Sequence, residues 1–338
     1  MRSAKLLGLC VIVGVGLAGA PAAVADTSTA GSPSISLSSD GKVLTAALAS
    51  TRFQQDAALD AWTPAEFETA VAIEGATTPA DAGAPTPPEV TTPAAGRPGD
   101  LVTTRLYGPW PQHNMSRDTV GRLFIRDPAT RVRAWYTATV VTSPGRNLLV
   151  TAAHCLFGQK DAQMVFVPGY DHGRAPFGLW PVVSWSRLAA FADSGPSHFD
   201  IGFATVGNMY GHEIADLVGS QGISFGQGRH QFVTVLGYDR QDAGSPLRYC
   251  SGWTVNGVLL SESRSTALIC RLVQGSSGGP RYSTLDDRTG AGTIFSINSF
   301  GVTVYFEDGS TDRNEYFWGT YLGDEAYRLY ASVAVVAP

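Results

Sequence analysis

The sequence predicts an all-β fold, a sandwich or barrel closed by one C-terminal helix, and three observations predict it. From about Val120, short apolar runs rich in Val, Ile, Phe and Thr follow one another, bounded by Gly, Pro, Asp and Asn. The composition, 44% hydrophobic and 16% charged with 38 Gly and 20 Pro, suits a loop-rich β protein better than a helical bundle or a disordered chain. The last stretch then changes period. In order, the strands are "TVGRLFIR", "AWYTATVV", "NLLVTAA", "MVFVPGY", "DIGFATV", "QFVTVLGY", "TIFSINSF" and "VTVYF". Each has a length and β-branched content that fits a half-buried or buried strand. In "GDEAYRLYASVAVV", Ala326, Leu329, Tyr330 and Val333 share one helical face. Asp324 and Glu325 fall in its first turn, where the helix dipole favours acidic groups.

The chain ahead of these strands is of a different kind. Residues 1–25 set Arg2 and Lys5 before an apolar run from Leu6 to about Ala20 and end on Ala23, Val24 and Ala25, the pattern of a secretory signal peptide cut before Asp26. The run is too short and too glycine-rich for a retained span. Residues 26–100 are rich in Ala, Thr, Ser and Pro and carry ten acidic residues against three basic ones, reading as an acidic pro-segment or linker. Within it "AWTPAEFETAVAIEG" predicts one helix, with Thr63 as N-cap, Pro64 at the first position, Glu66 completing a capping box and Gly75 as the stop. The proline-rich stretch after it has no apolar period and predicts a flexible or polyproline-like linker.

Charge and cysteine content narrow the function classes. A formal net charge of −5, without a basic cluster, argues against nucleic-acid binding. The five histidines other than His154 (His113, His172, His198, His212 and His230) form no HExxH motif, no CxxC occurs, and "EDGSTDRNE" lacks the spacing of a calcium loop, so neither a metal nor another cofactor is expected. Once the signal is removed, Cys155, Cys250 and Cys270 remain, so one bridge and one odd thiol are expected in an oxidising compartment. Cys250 and Cys270 flank a short β-like segment and are the favoured pair, a loop closure of roughly 3 kcal/mol.

Three polar residues stand out against the apolar strands. His154 ends the run "VTAAHC", and alone it reads either as a satisfied structural group or as a general base. Asp200 heads "DIGFATV", as a strand-end cap or as a buried carboxylate that needs a partner. The stretch "QGSSGGP", with Ser276 and Ser277, is either a flexible turn or a nucleophile loop.

Taken in chain order, "TAAHC", "DIGF" and "GSSGGP" resemble the three segments that carry the triad of chymotrypsin-like serine proteases. The resemblance spans about residues 118–335. "VGRLF", "YTATVV", "GYDR", "YCSGW" and "GSSGGP" narrow it to secreted bacterial trypsin-like peptidases, the branch that includes glutamyl endopeptidase-like enzymes. It implies two antiparallel Greek-key β-barrels and makes 101–338 the protease domain, a monomer acting on protein or peptide substrates outside the cell. By the family pattern His154 is the base, Asp200 its orienting carboxylate and Ser277 the nucleophile, with the N–H groups of Gly275 and Ser277 as the oxyanion site. Ser299, Phe300 and Gly301 match a wall of the primary pocket, and Ser299 is expected to bond Asp200. Arg271, six residues before Ser277, stands where trypsin-like pockets keep an acid; it reads as a pocket cation welcoming acidic side chains or as an ordinary surface arginine. Two departures follow. Ser276 replaces the acid that pairs with a freed amine in the animal enzymes, so that activation switch is not expected. Tyr136 stands where a partner for Cys155 would be sought, so Cys155 is expected to be a buried free thiol. The alternatives are a catalytically silent binding protein on the same fold and an esterase using the same residues.

Overall fold

A computed structural model describes residues 4–5, 33–72, 107–128, 132–156, 162–191, 199–240, 246–256, 265–306 and 311–334. Two β-barrels, one closed and one a curled half-barrel, form the body of the molecule. The closed one has six strands: Val120–Arg126, Arg133–Val141, Leu148–Thr151, Gln163–Pro168, Trp180–Leu188 and Gly202–Val206. Neighbours pair antiparallel, and the last strand closes the ring by pairing with Trp180–Leu188, Ala204 opposite Trp185. Its interior is packed with Leu123, Val140, Leu149, Phe166, Trp180, Trp185 and Val206, all buried.

The second sheet curls without closing. Its central strands are Ser265–Ile269, Thr311–Tyr321, Gly292–Phe306, Pro280–Leu285, Phe232–Gly237 and Arg248–Trp253, in that spatial order. The runs "TIFSINSF" and "VTVYF" are one strand, Gly292–Phe306. Val233, Val235, Leu268, Phe295 and Phe317 pack around the Cys250–Cys270 disulfide, whose Cα atoms are 5.8 Å apart. The expected pairing is present, and Cys155 is free and buried. A third apolar cluster joins the two sheets, from Phe124 and Val150 through Tyr238, Tyr282 and Ile297 to Leu329. Leu329 belongs to the terminal helix Asp324–Ala334, which buries Ala326 and Leu329 as the 3.6-residue period requires. Tyr330 on the same face donates its hydroxyl to the Thr142 carbonyl at 2.7 Å, tying the helix to the first barrel.

Residues 33–72 are folded against the first barrel. The hairpin Ser34–Leu37 and Val43–Ala47 turns at Asp40–Gly41, where Gly41 adopts φ +71°. It extends the barrel sheet by pairing Val43–Ala47 with Ser184–Leu188. The helix Arg52–Asp60 follows, opened by a capping box in which Thr51 and Gln54 satisfy each other's backbone N–H groups. The expected helix after Thr63 is present but short, Pro64–Thr69, with Thr63 capping as expected, whereas Glu66 does not complete the capping box and turns its carboxylate to Arg133. It stops at Ala70 because the chain turns extended, and Val71–Ala72 pairs in parallel with Ala134–Trp135. Trp62 and Phe67 stack at 5.3 Å and both meet Phe124 of the barrel. The expected Gly75 stop, the expected linker 76–100 and residues 6–25 lie outside the described residues. Among the described residues no helix is long and apolar enough to cross a membrane.

Candidate active site

The site residues come from both barrels. His154 lies in the short 3-10 turn Ala153–Leu156 that follows Leu148–Thr151, and Asp200 sits at the entrance to Gly202–Val206. These two strands are hydrogen-bonded neighbours, with Gly202 opposite Thr151, so histidine and carboxylate emerge side by side. Asp200 is fully enclosed. One oxygen accepts the His154 backbone N–H at 2.8 Å; the other accepts His154 Nδ1–H at 2.8 Å and the Ser299 hydroxyl. The carboxylate therefore holds both the position and the tautomer of the ring, leaving Nε2 as the free nitrogen. The bond from Ser299 to Asp200 is the one the resemblance implies.

Burial alone would lower the His154 pKa, yet the Asp200 carboxylate and then the Cys155 sulfur hold it well above the usual histidine range. The edge of the Tyr136 ring meets the imidazole at 5.7 Å between centroids. Burial, then Cys155 and Asp200, push the Tyr136 phenol up. Tyr136 thus supports the histidine turn by packing, at the place where a second cysteine would otherwise be sought.

The loop 275–279 is built by its glycines. Gly275 has φ +95° and Gly278 φ +82°, a region in which a side chain is strained. A Cβ on Gly275 would run into the Trp135 ring and come within 3.1 Å of Ala72 Cβ, and one on Gly278 would strike Thr151 Oγ1 and the Thr137 carbonyl. The turn is tied down by Thr137 N–H to Ser277 O at 2.9 Å and Gly278 N–H to Asn298 O at 2.8 Å. Asn298 Nδ2 donates to the Ser276 and Leu236 carbonyls. The two serines differ in their surroundings. Ser276 is enclosed and its hydroxyl donates to the Val273 carbonyl at 2.6 Å. Ser277 donates to the Ser299 carbonyl at 3.2 Å, and His154 Nε2 has no hydrogen-bond partner among the described residues. The N–H groups of Gly275 and Ser277 have none there either.

Phe300 stacks on Trp318 at 6.0 Å beside Ser299, and Gly301 pairs with Phe317 in the long hairpin. Arg271 is exposed next to Cys270. Buried instead is Arg281, four residues after Ser277, a residue that sequence reasoning missed. Nε donates to Asn298 Oδ1 at 3.0 Å, Nη1 to the Thr266 carbonyl at 3.2 Å and Nη2 to the Phe317 carbonyl at 3.0 Å. Its guanidinium lies against Gly319, and burial lowers its pKa to about 9. The readable sign was one arginine in a strand that begins beside the Ser277 loop, "PRYSTL", whose first three residues are buried. Among the described residues no three metal-ligating side chains converge.

With this geometry the chain shares its fold with bacterial chymotrypsin-like serine proteases. It is similar to the protease Anisep from Arthrobacter nicotinovorans, at 26% identity and a TM-score of 0.56 over 65% of this chain and 96% of that one. It is similar also to the thermostable serine protease AL20 from an extremophilic microorganism, at 26% identity and 0.57 over 66% and 99%. A Glu endopeptidase, at 13% identity and 0.51 over 68% and 97%, shares the fold. No protein-family model matches the sequence, and no curated protein resembles it significantly.

Proposed function

We propose that the protein is a secreted serine endopeptidase that cleaves peptide bonds through an acyl-enzyme. The observation that carries this reading is the clasp of His154 by Asp200, through ring and backbone together, beside a serine loop whose shape depends on two glycines at positive φ. A serine hydroxyl is a weak nucleophile until a base takes its proton. In the proposed reaction Ser277 Oγ turns from the Ser299 carbonyl toward His154 Nε2, gives up its proton and attacks the substrate carbonyl. The imidazolium that forms is stabilised by Asp200 and then protonates the leaving amine; water repeats the sequence on the ester. The unengaged N–H groups of Gly275 and Ser277 receive the developing oxyanion. Ser299, Phe300 and Gly301 line the acyl side. Similarity to serine proteases and the signal-like first 25 residues support extracellular peptide hydrolysis, with 101–338 as the catalytic part.

A second reading, a silent binding protein, draws on the same hydroxyl, which donates to Ser299 rather than to His154. One experiment separates them. Secreted protein and its Ser277→Ala variant are treated with a fluorophosphonate and then with a peptide library read by mass spectrometry. Labelling of Ser277, with cleavage reduced roughly 10^3- to 10^6-fold in the variant, supports the enzyme. Absence of both labelling and cleavage refutes it.

A further inference from the structure

The strand Arg133–Val141 has two edges. One pairs along residues 133–139 with Val120–Arg126. The other pairs with Leu148–Thr151 only from Thr139 onward, which leaves residues 133–138 as an open edge facing the second barrel. Thr137 on that edge donates its N–H to the Ser277 carbonyl, so the nucleophile loop is docked there. Thr137 Oγ1 donates in turn to the Gly275 carbonyl at 2.9 Å. An unpaired strand edge beside a nucleophile is where an extended peptide adds by main-chain hydrogen bonds.

Here the next positions along the edge are taken by the chain itself. Val71 and Ala72 pair in parallel with Ala134 and Trp135. Ala72 reaches within 3.1 Å of where a Gly275 Cβ would stand. Behind them Arg133 is held by Glu66 through an ion pair, Nη2 to Oε1 at 2.9 Å, and Trp135 is backed by the Arg122 guanidinium at 3.9 Å. The helix Pro64–Thr69 thus delivers a short strand to the nucleophile's side and anchors it there. His154 is only 7% exposed and Ser277 4%.

We propose that Val71–Ala72 occupies the edge on which the leaving half of a peptide substrate docks, so that residues 33–72 restrain cleavage of extended peptides while leaving the acyl half of the site open. This rests on the peptidase reading above. In that reading the acyl half runs along Ser299–Gly301, on the second barrel, and His154 hands its proton to the departing amine on the side of Tyr136, which lies on the strand that Val71–Ala72 pairs with. Residues after the scissile bond therefore meet the edge that Val71–Ala72 covers.

The test uses the full secreted chain, Val71→Pro/Ala72→Pro, which removes both N–H donors from the short strand, and Glu66→Gln, which weakens its anchor. Each is assayed by fluorophosphonate labelling and on two substrates with the same acyl residues: a small ester with no residue beyond the scissile bond, and a peptide continuing three residues past it. A docked self-strand that leaves the competent state populated about one tenth of the time raises the apparent KM for the long peptide about tenfold. The double variant is expected to recover that factor through KM, with the ester changed less than about twofold. Glu66→Gln is expected to move the same way by less. Equal changes on ester and peptide, or an unmoved peptide KM in both variants, overturn the proposal. If neither the parent nor the variants label or cleave the ester, the peptidase reading itself fails, and this one with it.

Discussion

Trp62→Ala is the sharpest test of whether residues 33–72 are part of the fold or an appendage. Trp62 is 4% exposed, stacks on Phe67 at 5.3 Å, meets Phe124 at 5.2 Å, and donates Nε1–H to the Gln163 carbonyl at 3.3 Å. Truncating a buried aromatic costs about 3–5 kcal/mol when the site cannot collapse. Collapse is restricted here because Phe124 belongs to a barrel strand paired on both sides, to Trp135 and to Val165. Loss of the aromatic contacts and of one hydrogen bond belongs within that range rather than on top of it. A loss of this size is a large share of the roughly 5–15 kcal/mol that holds a domain folded. It is expected to shift the urea midpoint of the main transition, with the slope unchanged, by an amount equivalent to about 3–5 kcal/mol. A change below about 1 kcal/mol, or a separate early transition that leaves the main one in place, would refute the argument that this segment shares the barrel's core.

Four further outcomes are expected. The raised His154 pKa means that the neutral base is populated only above the usual histidine range, so the acid limb of kcat/KM is expected well above about 6.5. The same pair contributes stability that is complete below about pH 6.5 and is lost as pH rises through the folded value, which stability curves measured across that range should show. Gly278→Ala meets both positive φ and the Thr137 carbonyl, and is expected to cost at least about 2 kcal/mol by denaturant titration and to abolish fluorophosphonate labelling. In alkali two effects oppose each other: Arg281, at about 9 when folded, adds stability as pH rises toward its unfolded value, whereas the phenols of Tyr136, Tyr238 and Tyr282, all raised by burial, take stability away above about pH 10. Three against one, net alkaline unfolding above about pH 10 is expected by circular dichroism.

His154, Asp200 and the loop around Ser277 were each ambiguous alone, and only the resemblance of "TAAHC", "DIGF" and "GSSGGP", taken in chain order, singled them out and implied the Ser299 bond to Asp200. Cys250 and Cys270 were legible because they flank a short β-like segment. Composition hid the N-terminal hairpin. Ser34–Leu37 and Val43–Ala47 carry a hairpin sign in Asp40–Gly41, and Thr51 with Gln54 signals a helix, but both lie in a stretch dominated by Ala, Thr and Ser. The strand Trp180–Leu188 was missed for another reason: Pro181 is tolerated at its start, where sequence pattern reads it as a breaker. Val71–Ala72 has no local signal, since a two-residue strand exists only through the edge it meets.

Arg281 shows what a purely local reading leaves out. A buried guanidinium with no carboxylate beside it among the described residues is expensive, and burial lowers its pKa. It is tolerated because its donors reach three separate strands, at Thr266, Asn298 and Phe317, in the sheet that does not close on itself. A planar fork can do this with three separate nitrogens, where a lysine would have to reach all three strands from one. Carbonyl oxygens of Thr266 and Phe317 face its charge, and one of its partners, Asn298, donates onward to the Ser276 carbonyl and precedes Ser299 in the chain. The loop holding Ser277 and the strand carrying Ser299 are therefore joined through the Asn298 side chain as well as through the backbone bond from Gly278 to Asn298. In an open half-barrel the register between those strands would otherwise rest on backbone pairing interrupted between Asn298 and Phe300. Arg281 spans that interruption from the side, bonding Asn298 on one strand and the Phe317 carbonyl on the next.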